Sequence, residues 1–141
     1  MNQRAFTMIE ILLVVVIISI LAAMVVPNLT GRSDQARVVA AQTDVDSIIS
    51  AALDLYKMDN GSFPTSEQGL AALVVQPTAA PVPAHWNGPY LKNKKIPQDP
   101  WGRPYVYLAP GSHNKESYDL YSLGQDGVES KDDIINWEKE K

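Results

Sequence analysis

The sequence contains no cysteine among its 141 residues. Disulfides, zinc thiolate sites and cysteine nucleophiles are therefore excluded together. The 12 lysines and arginines are outnumbered by 16 aspartates and glutamates, which leaves a formal net charge of −4. Because the chain has no basic patch and no arginine interleaved with aromatic residues, nothing in the sequence supports nucleic-acid binding.

Motifs of known catalytic sites are missing as well. Neither a phosphate-binding loop nor a dinucleotide-binding glycine pattern occurs. Serine, histidine and aspartate are present, but no G-x-S-x-G nucleophile elbow surrounds the serines. His85 and His113 each stand alone in loop-like sequence, where solvated or capping roles fit better than metal ligation. We therefore expect that this protein is not an enzyme.

The one long hydrophobic run lies at the N-terminus, where only Ser19 interrupts the apolar residues from Ile11 to Val26. A helix from Phe6 to Val26 would be about 31 Å long, which matches the hydrocarbon core of a bilayer. The positive charge in Met1–Arg4 is expected to stay in the cytoplasm. The pattern predicts a single membrane span, with the rest of the chain outside the cytoplasm.

Glu10 lies inside this apolar run, where an ionised carboxylate is costly. The segment could be a cleaved secretory signal peptide, or a plain signal anchor whose Glu10 reaches the membrane interface. Two features argue against a signal peptide: the charge within its hydrophobic region, and small residues that are not in A-x-A order. Pro27 ends the run and predicts a kink or a locally melted segment, with a simple helix stop as the alternative.

After Ser33 the pattern becomes that of an amphipathic helix. Apolar residues recur at three- and four-residue spacing, namely Ala41, Val45, Ile48, Ile49, Ala52, Leu55 and Tyr56. We predict a nearly continuous helix from Phe6 to Lys57, hydrophobic all round in its first half and one-sided in its second. A short helix is predicted at Glu67–Val74, with Thr65 or Ser66 as its cap.

Turns and short strands are expected in the rest of the chain. In "DPWG", Asp99, Pro100 and Gly102 suit the positions of a β-turn. The segments "PYVYLA" and "SYDLYSLG" alternate, and we predict that they pair as antiparallel strands across "PGSHNKE". The predicted fold class is α+β, with one long helix packed on a small antiparallel β-sheet.

Acidic residues gather in "SLGQDGVESKDDIINWE", from Ser122 to Glu138. The spacing is not that of an EF-hand, and a solvated acidic loop is the simplest interpretation. However, the two glycines permit a tight backbone in which Asp126 could approach Asp132 and Asp133. Carboxylate and carbonyl oxygens in a flexible loop suit Ca²⁺, so a calcium site is the alternative.

The first residues resemble the class III signal of type IV pilins and pseudopilins. In that pattern a short basic leader ends in a small residue, followed by Phe, with Glu at the fifth mature position. Here Ala5, Phe6 and Glu10 stand at those places, although the family usually has Gly where this chain has Ala5. Pro27 also matches a proline of the family.

This resemblance implies that a prepilin peptidase cleaves after Ala5 and methylates the new amine of Phe6. That amine would pair with the carboxylate of Glu10, either within one chain or between neighbouring subunits of a filament. The resemblance thus implies that Phe6, Glu10 and Pro27 take part in assembly.

Three further strings, "FPTSEQGLAALV", "IPQDPWGRPYVY" and "SLGQDGVESKDDIINW", are similar to motifs of the major pseudopilins of type II secretion systems. The match runs from Phe6 to Trp137. It implies a type IV pilin-like fold with a calcium-binding C-terminal loop. The implied calcium ligands are the side chains of Asp126, Asp132 and Asp133 and backbone oxygens of Leu123 and of residues near Val128 and Ser130.

The resemblance also implies how the chain is organised. Residues 1–5 would be a leader peptide, residues 6–30 a transmembrane and filament-core helix, and residues 31–141 a periplasmic globular domain. The subunit would polymerise into the pseudopilus and drive export of folded proteins through the outer-membrane secretin. Its partners would be further copies of itself, minor pseudopilins, the inner-membrane secretion platform and the prepilin peptidase.

Two other functions stay open at this point. A type IV pilin shares the N-terminal pattern, although the C-terminal disulfide loop usual in that family cannot form without cysteine. A membrane-anchored binding domain that does not polymerise fits the hydropathy equally well.

Overall fold

The computed structural model describes residues 6–138, and for residues 25–30 the backbone alone. The chain divides into two compact units, with the division between Ala36 and Arg37. In chain order the regular elements are α1 (Met8–Thr43), a π-helix (Asp44–Ile48), α2 (Ile49–Asn60), a 3-10 helix (Leu70–Leu73), β1 (Val106–Leu108), β2 (Asp119–Ser122) and β3 (Ile134–Ile135).

The nearly continuous helix predicted over Phe6–Lys57 is confirmed, with shifted ends. α2 continues to Asn60 because Gly61 adopts a left-handed φ of 81° and donates its N–H to the carbonyl of Lys57 at 2.7 Å. Glycine adopts that conformation without steric cost, so it closes the helix there. α1 runs through the position of Pro27, so the helix stop and the locally melted segment are both wrong. The predicted kink at Pro27 stays a prediction.

The buried face of the helix differs from the predicted one at three positions. Ile48 and Leu55 are exposed, whereas Leu53 is fully buried. The π-helix between α1 and α2 explains the difference, because a π turn holds more residues than an α turn and rotates the following side chains. Tyr105 donates its hydroxyl to Asp44 at the start of this segment, with 2.7 Å between the oxygens.

The predicted helix at Glu67–Val74 is shorter than expected. Thr65 caps a single turn and not the helix: its hydroxyl accepts the N–H of Gln68 at 3.2 Å, and the Gln68 side chain accepts the N–H of Thr65 at 3.1 Å. This reciprocal pair is a capping box. The 3-10 helix itself is preceded by Gly69, and no side chain caps it. Gly69 then takes a φ of 58°, which is incompatible with a helix, so regular structure begins only at Leu70.

The antiparallel pairing of the two predicted strands is confirmed. β1 pairs with β2 so that Val106 lies opposite Tyr121 and Leu108 opposite Asp119. β2 also pairs with β3, with Ser122 opposite Ile134. β3 was not predicted, because two residues are too few to show an alternating pattern. The helix and the three-stranded sheet confirm the α+β fold class.

The hydrophobic core lies in the unit that begins at Arg37. It joins one face of the helix to the sheet and to the segments between them. Its buried members are Ala41, Val45, Ile49, Ala52, Leu53, Tyr56, Leu70, Ala72, Leu73, Leu91, Tyr105, Tyr107, Tyr118, Leu120 and Ile134.

A buried carboxylate anchors the turn between β1 and β2. Asp119 is 1% exposed and accepts the backbone N–H groups of Ser112, His113 and Asn114 at 2.7, 2.9 and 2.9 Å. Its Oδ2 also lies 3.2 Å from Nδ1 of His113. Burial alone would raise the pKa of Asp119, but these hydrogen bonds outweigh it and hold that pKa below its ordinary value.

We expect Asp119→Asn to lower the free energy of unfolding at pH 7 by about 1–3 kcal/mol, because the three backbone donors of the turn would lose a charged acceptor. A lowered folded-state pKa gives stability that is present above the unfolded pKa of about 3.9 and is lost as pH falls through the folded pKa. The difference between wild type and variant should therefore shrink below about pH 4. Urea unfolding at several pH values measures it.

Glu116→Gln is the matched control, since it removes an exposed carboxylate from the same turn. A wild-type advantage over Asp119→Asn that is unchanged from pH 7 to pH 3 would contradict this role of the carboxylate.

Candidate functional site

The N-terminal helix presents an uncovered apolar surface. From Phe6 to Leu21, the large hydrophobic side chains are between 49% and 84% exposed. Among the residues that the structure describes, no helix combines the length and apolarity required to cross a membrane. The predicted cleavage site after Ala5 and the side chain of Pro27 lie outside the described residues.

Glu10 lies in the first turn of α1. Thr7 precedes the helix, and both its hydroxyl and its carbonyl accept the N–H of Glu10, at 3.3 and 3.1 Å. An anionic side chain is favoured there by the partial positive charge at a helix N-terminus. Sequence reasoning missed Thr7, although T-x-x-E is a capping signature. The pairing of Glu10 with an amine of Phe6 stays a prediction.

The second candidate site is the acidic loop, residues 123–133, which joins β2 to β3. Asp126, Asp132 and Asp133 each offer an oxygen, and these oxygens all lie within 4.8 Å of one another. The approach of the three aspartates that the glycines were expected to permit is therefore confirmed. The loop closes because the antiparallel pairing of Ser122 with Ile134 brings its two ends together.

Hydrogen bonds within the acidic loop orient the carboxylates. Asp132 accepts the N–H of Gln125 at 3.2 Å and the hydroxyl of Ser130. Asp126 accepts the N–H of Val128 at 3.0 Å. Each of these bonds uses a single oxygen lone pair, so the carboxylates keep further acceptor capacity for a cation.

The electrostatics of the three carboxylates differ. The hydrogen bond from Ser130 lowers the pKa of Asp132. Burial raises the pKa of Asp133, and the negative charges of Asp132 and Asp126 raise it further. Repulsion by these neighbours therefore contributes to the raised pKa of Asp133, and a bound cation would relieve it.

A hydrogen bond shows the surroundings of one backbone oxygen that was predicted as a calcium ligand. The carbonyl of Leu123 accepts the N–H of Gly127 at 3.2 Å, which leaves its second lone pair available. Ligation by backbone oxygens near Val128 and Ser130 stays a prediction. The chemistry of the donor set, with three carboxylates in a loop, fits a hard cation such as Ca²⁺.

Gly124 is required at the start of the acidic loop for two reasons. Its φ is 61°, a conformation that side chains rarely adopt. A Cβ atom there would also lie 2.7 Å from Oδ2 and 2.8 Å from the carbonyl oxygen of Asp132. The close approach of the two loop ends therefore depends on the absence of a side chain at Gly124.

The predicted "DPWG" turn is confirmed, and a hydrogen bond connects it to the residue that precedes the acidic loop. Gly102 donates its N–H to the carbonyl of Asp99 at 2.9 Å. The Asp99 side chain accepts the N–H groups of Trp101 and Arg103 at 3.1 and 2.8 Å. It also accepts the hydroxyl of Ser122, the last residue of β2, at 2.7 Å. The buried Asp99 thus connects the turn to the start of the loop.

Family models match both parts of the chain. Residues 28–137 match the model described as type II secretion system (T2SS), protein G. Residues 1–26 match the prokaryotic N-terminal methylation motif.

Individual proteins of known type are also similar to this chain. The type II secretion system core protein G of Pseudomonas aeruginosa is 54% identical, over 97% of this chain and 96% of that protein. The protein of the same name from Aeromonas hydrophila is 48% identical, over 96% and 93%. The crystal structure of the major pseudopilin from the type 2 secretion system of enterohaemorrhagic Escherichia coli matches with a TM-score of 0.68 and 43% identity, over 80% of this chain and 92% of that one.

We expect Gly124→Ala to lower the free energy of unfolding by at least about 1 kcal/mol more than Gly61→Ala. Both glycines have a left-handed φ, but a Cβ at Gly61 would meet nothing within 4 Å, so that control isolates the conformational cost. Equal losses in urea unfolding would show that the contact between Gly124 and Asp132 contributes nothing.

Proposed function

The chain belongs to the type II secretion system protein G family and is a major pseudopilin subunit of that system, and from this we propose how the subunit is anchored, assembled and stabilised. The helix of residues 6–30 first holds the subunit in the inner membrane as a single span, with residues 31–141 in the periplasm. After cleavage following Ala5, the subunits polymerise into the pseudopilus. The role is structural rather than catalytic.

The uncovered apolar surface from Phe6 to Leu21 is the observation that carries this proposal. Fully burying one large aliphatic side chain is worth about 1.5–3 kcal/mol. A run of them on all sides of a helix therefore favours either lipid or other apolar helices as its surroundings. Before assembly the bilayer covers this surface, and in the filament the same helices of neighbouring subunits do.

Glu10 links processing to assembly in this proposal. The amine of Phe6 exists only after the prepilin peptidase has cut the leader, and methylation leaves it cationic. Because an unpaired charge in an apolar bundle is costly, Glu10 of one subunit pairs with the Phe6 amine of its neighbour and sets the register between them. The place of Glu10 in the first helical turn supports this pairing, since it lies near the new terminus.

The assembled filament would push folded proteins through the outer-membrane secretin. Its partners would be minor pseudopilins and the inner-membrane secretion platform, in addition to further copies of the subunit itself. The match of residues 28–137 to the protein G family supports this role over that of a type IV pilin.

Calcium would stabilise the globular part of the subunit. Asp126, Asp132 and Asp133 would supply carboxylate oxygens, and the backbone of Leu123 and of residues near Val128 and Ser130 would complete the site. The closeness of the three carboxylates supports the assignment. A bound Ca²⁺ would neutralise their mutual repulsion and join the two ends of the acidic loop.

Glu10→Ala should leave membrane insertion and leader cleavage intact and abolish filaments, because the Phe6 amine would lose its partner. Electron microscopy of membrane extracts measures the filaments, and gel mobility measures cleavage. Glu67→Ala, which removes an exposed carboxylate from the globular part, is the control and should assemble normally. A normal filament yield from Glu10→Ala would sink the register proposal, and a wild type without filaments would favour an anchored binding domain.

Added Ca²⁺ should raise the melting temperature of the wild type, and a chelator should lower it. At a free concentration of 100 times Kd, binding to the folded state adds about 2.7 kcal/mol of stability. The Asp132→Ala/Asp133→Ala double variant should lose this response. Glu67→Ala/Glu116→Ala removes the same charge from exposed positions elsewhere and should keep it. If the Asp132/Asp133 double variant responds as the wild type does, the ligands are misassigned.

A further inference from the structure

We propose that Arg103 is a positioning residue for the acidic loop. Its guanidinium ties the first residues of the loop to the "DPWG" turn and holds the carboxylates in an arrangement that binds a cation. The inference rests on the calcium site proposed above and adds a residue that lies outside the loop.

The guanidinium of Arg103 contacts the acidic loop at two glycines. One terminal nitrogen donates to the carbonyl oxygen of Gly124. The other lies against Gly127, where an added Cβ atom would overlap it. Both glycines have positive φ angles, 61° and 75°, so the backbone at these points is open to a close approach. The side chain of Arg103 is 32% exposed, so its contacts are largely within the protein.

The base of Arg103 is itself held firmly. Its N–H donates to Oδ1 of Asp99 at 2.8 Å, and its Nε lies 3.8 Å from Oδ2 of the same residue. On either side of the turn, Gln98 and Pro104 form an antiparallel bridge. A donor carried on a fixed base loses little further freedom when it binds the loop, so the contact pre-organises the loop.

The two glycines that Arg103 contacts adjoin the proposed ligands. Asp132 lies against Gly124. Gln125, which follows Gly124 in the chain, donates its N–H to the Asp132 carboxylate at 3.2 Å. Gly127 directly follows Asp126 in the chain. A shift of the backbone between the two glycines would therefore displace Asp126 and Asp132 together.

The charge of Arg103 and its tether act on Ca²⁺ binding with opposite signs. A positive charge near the site repels a divalent cation, so its removal by itself would strengthen binding. Loss of the tether would weaken binding, because the carboxylates would no longer be held in place. Lysine keeps the charge but lacks the planar fork that bonds the backbone in this geometry, so Arg103→Lys separates the two effects.

Calorimetric titration of the full-length chain in detergent with Ca²⁺ tests the proposal. Arg103→Gln and Arg103→Lys should each weaken binding about tenfold or more, as expected for a residue that orients metal ligands. Lys131→Gln, which removes a positive charge from the loop itself, should bind at least as tightly as the wild type. Tight binding by Arg103→Gln, or wild-type affinity in Arg103→Lys, would overturn the tether.

A measurement without calcium distinguishes failure of this inference from failure of the calcium proposal. In excess chelator, trypsin should cleave the loop after Lys131 about tenfold faster in Arg103→Gln than in wild type, because an untethered loop opens more often. Trypsin cleaves poorly before a proline, and Arg103 is followed by Pro104. Replacing Arg103 therefore removes no cleavage site that trypsin uses in the wild type. Wild type that binds no Ca²⁺ refutes the calcium site, whereas equal cleavage rates refute the tether.

Discussion

The uncovered apolar surface of the N-terminal helix is the constraint on which the rest of the protein depends. Side chains from Phe6 to Leu21 are about half exposed or more on all sides of α1. Such a surface is stable only in lipid or against other apolar helices. In our proposal the same helix serves first as anchor and then as filament core, and Glu10 restricts the second role to subunits whose leader has been removed.

The constraint on the globular part is electrostatic repulsion within the acidic loop. Three carboxylate oxygens within 4.8 Å of one another repel, and the negative charges of Asp132 and Asp126 add to the effect of burial in raising the pKa of Asp133. The short β3 closes the acidic loop, the missing side chain of Gly124 lets its ends meet, and we propose that Arg103 and Ca²⁺ hold it shut. Local backbone geometry and charge neutralisation thus act on the same few residues.

Periodicity and turn chemistry predicted the long helix, the "DPWG" turn, the pairing of β1 with β2 and the approach of the three aspartates, because these features depend on residues near one another in sequence. Features that depend on tertiary contacts were missed. The π-helix that exposes Ile48 has no sequence signature of its own, β3 is too short for a pattern, and nothing local marks Arg103 as a contact of Gly124. Thr7 could have been found from its T-x-x-E spacing.

The most direct test of this account is electron microscopy of the purified, cleaved full-length subunit during assembly, at fixed protein concentration and varied free Ca²⁺. The account predicts filaments when Ca²⁺ is present, and few or none in excess chelator. It also predicts that restoring Ca²⁺ restores them. Equal filament yield with and without Ca²⁺ would contradict our proposal that calcium stabilises the globular part of the assembling subunit, and no filaments under either condition would contradict assembly through the apolar helix.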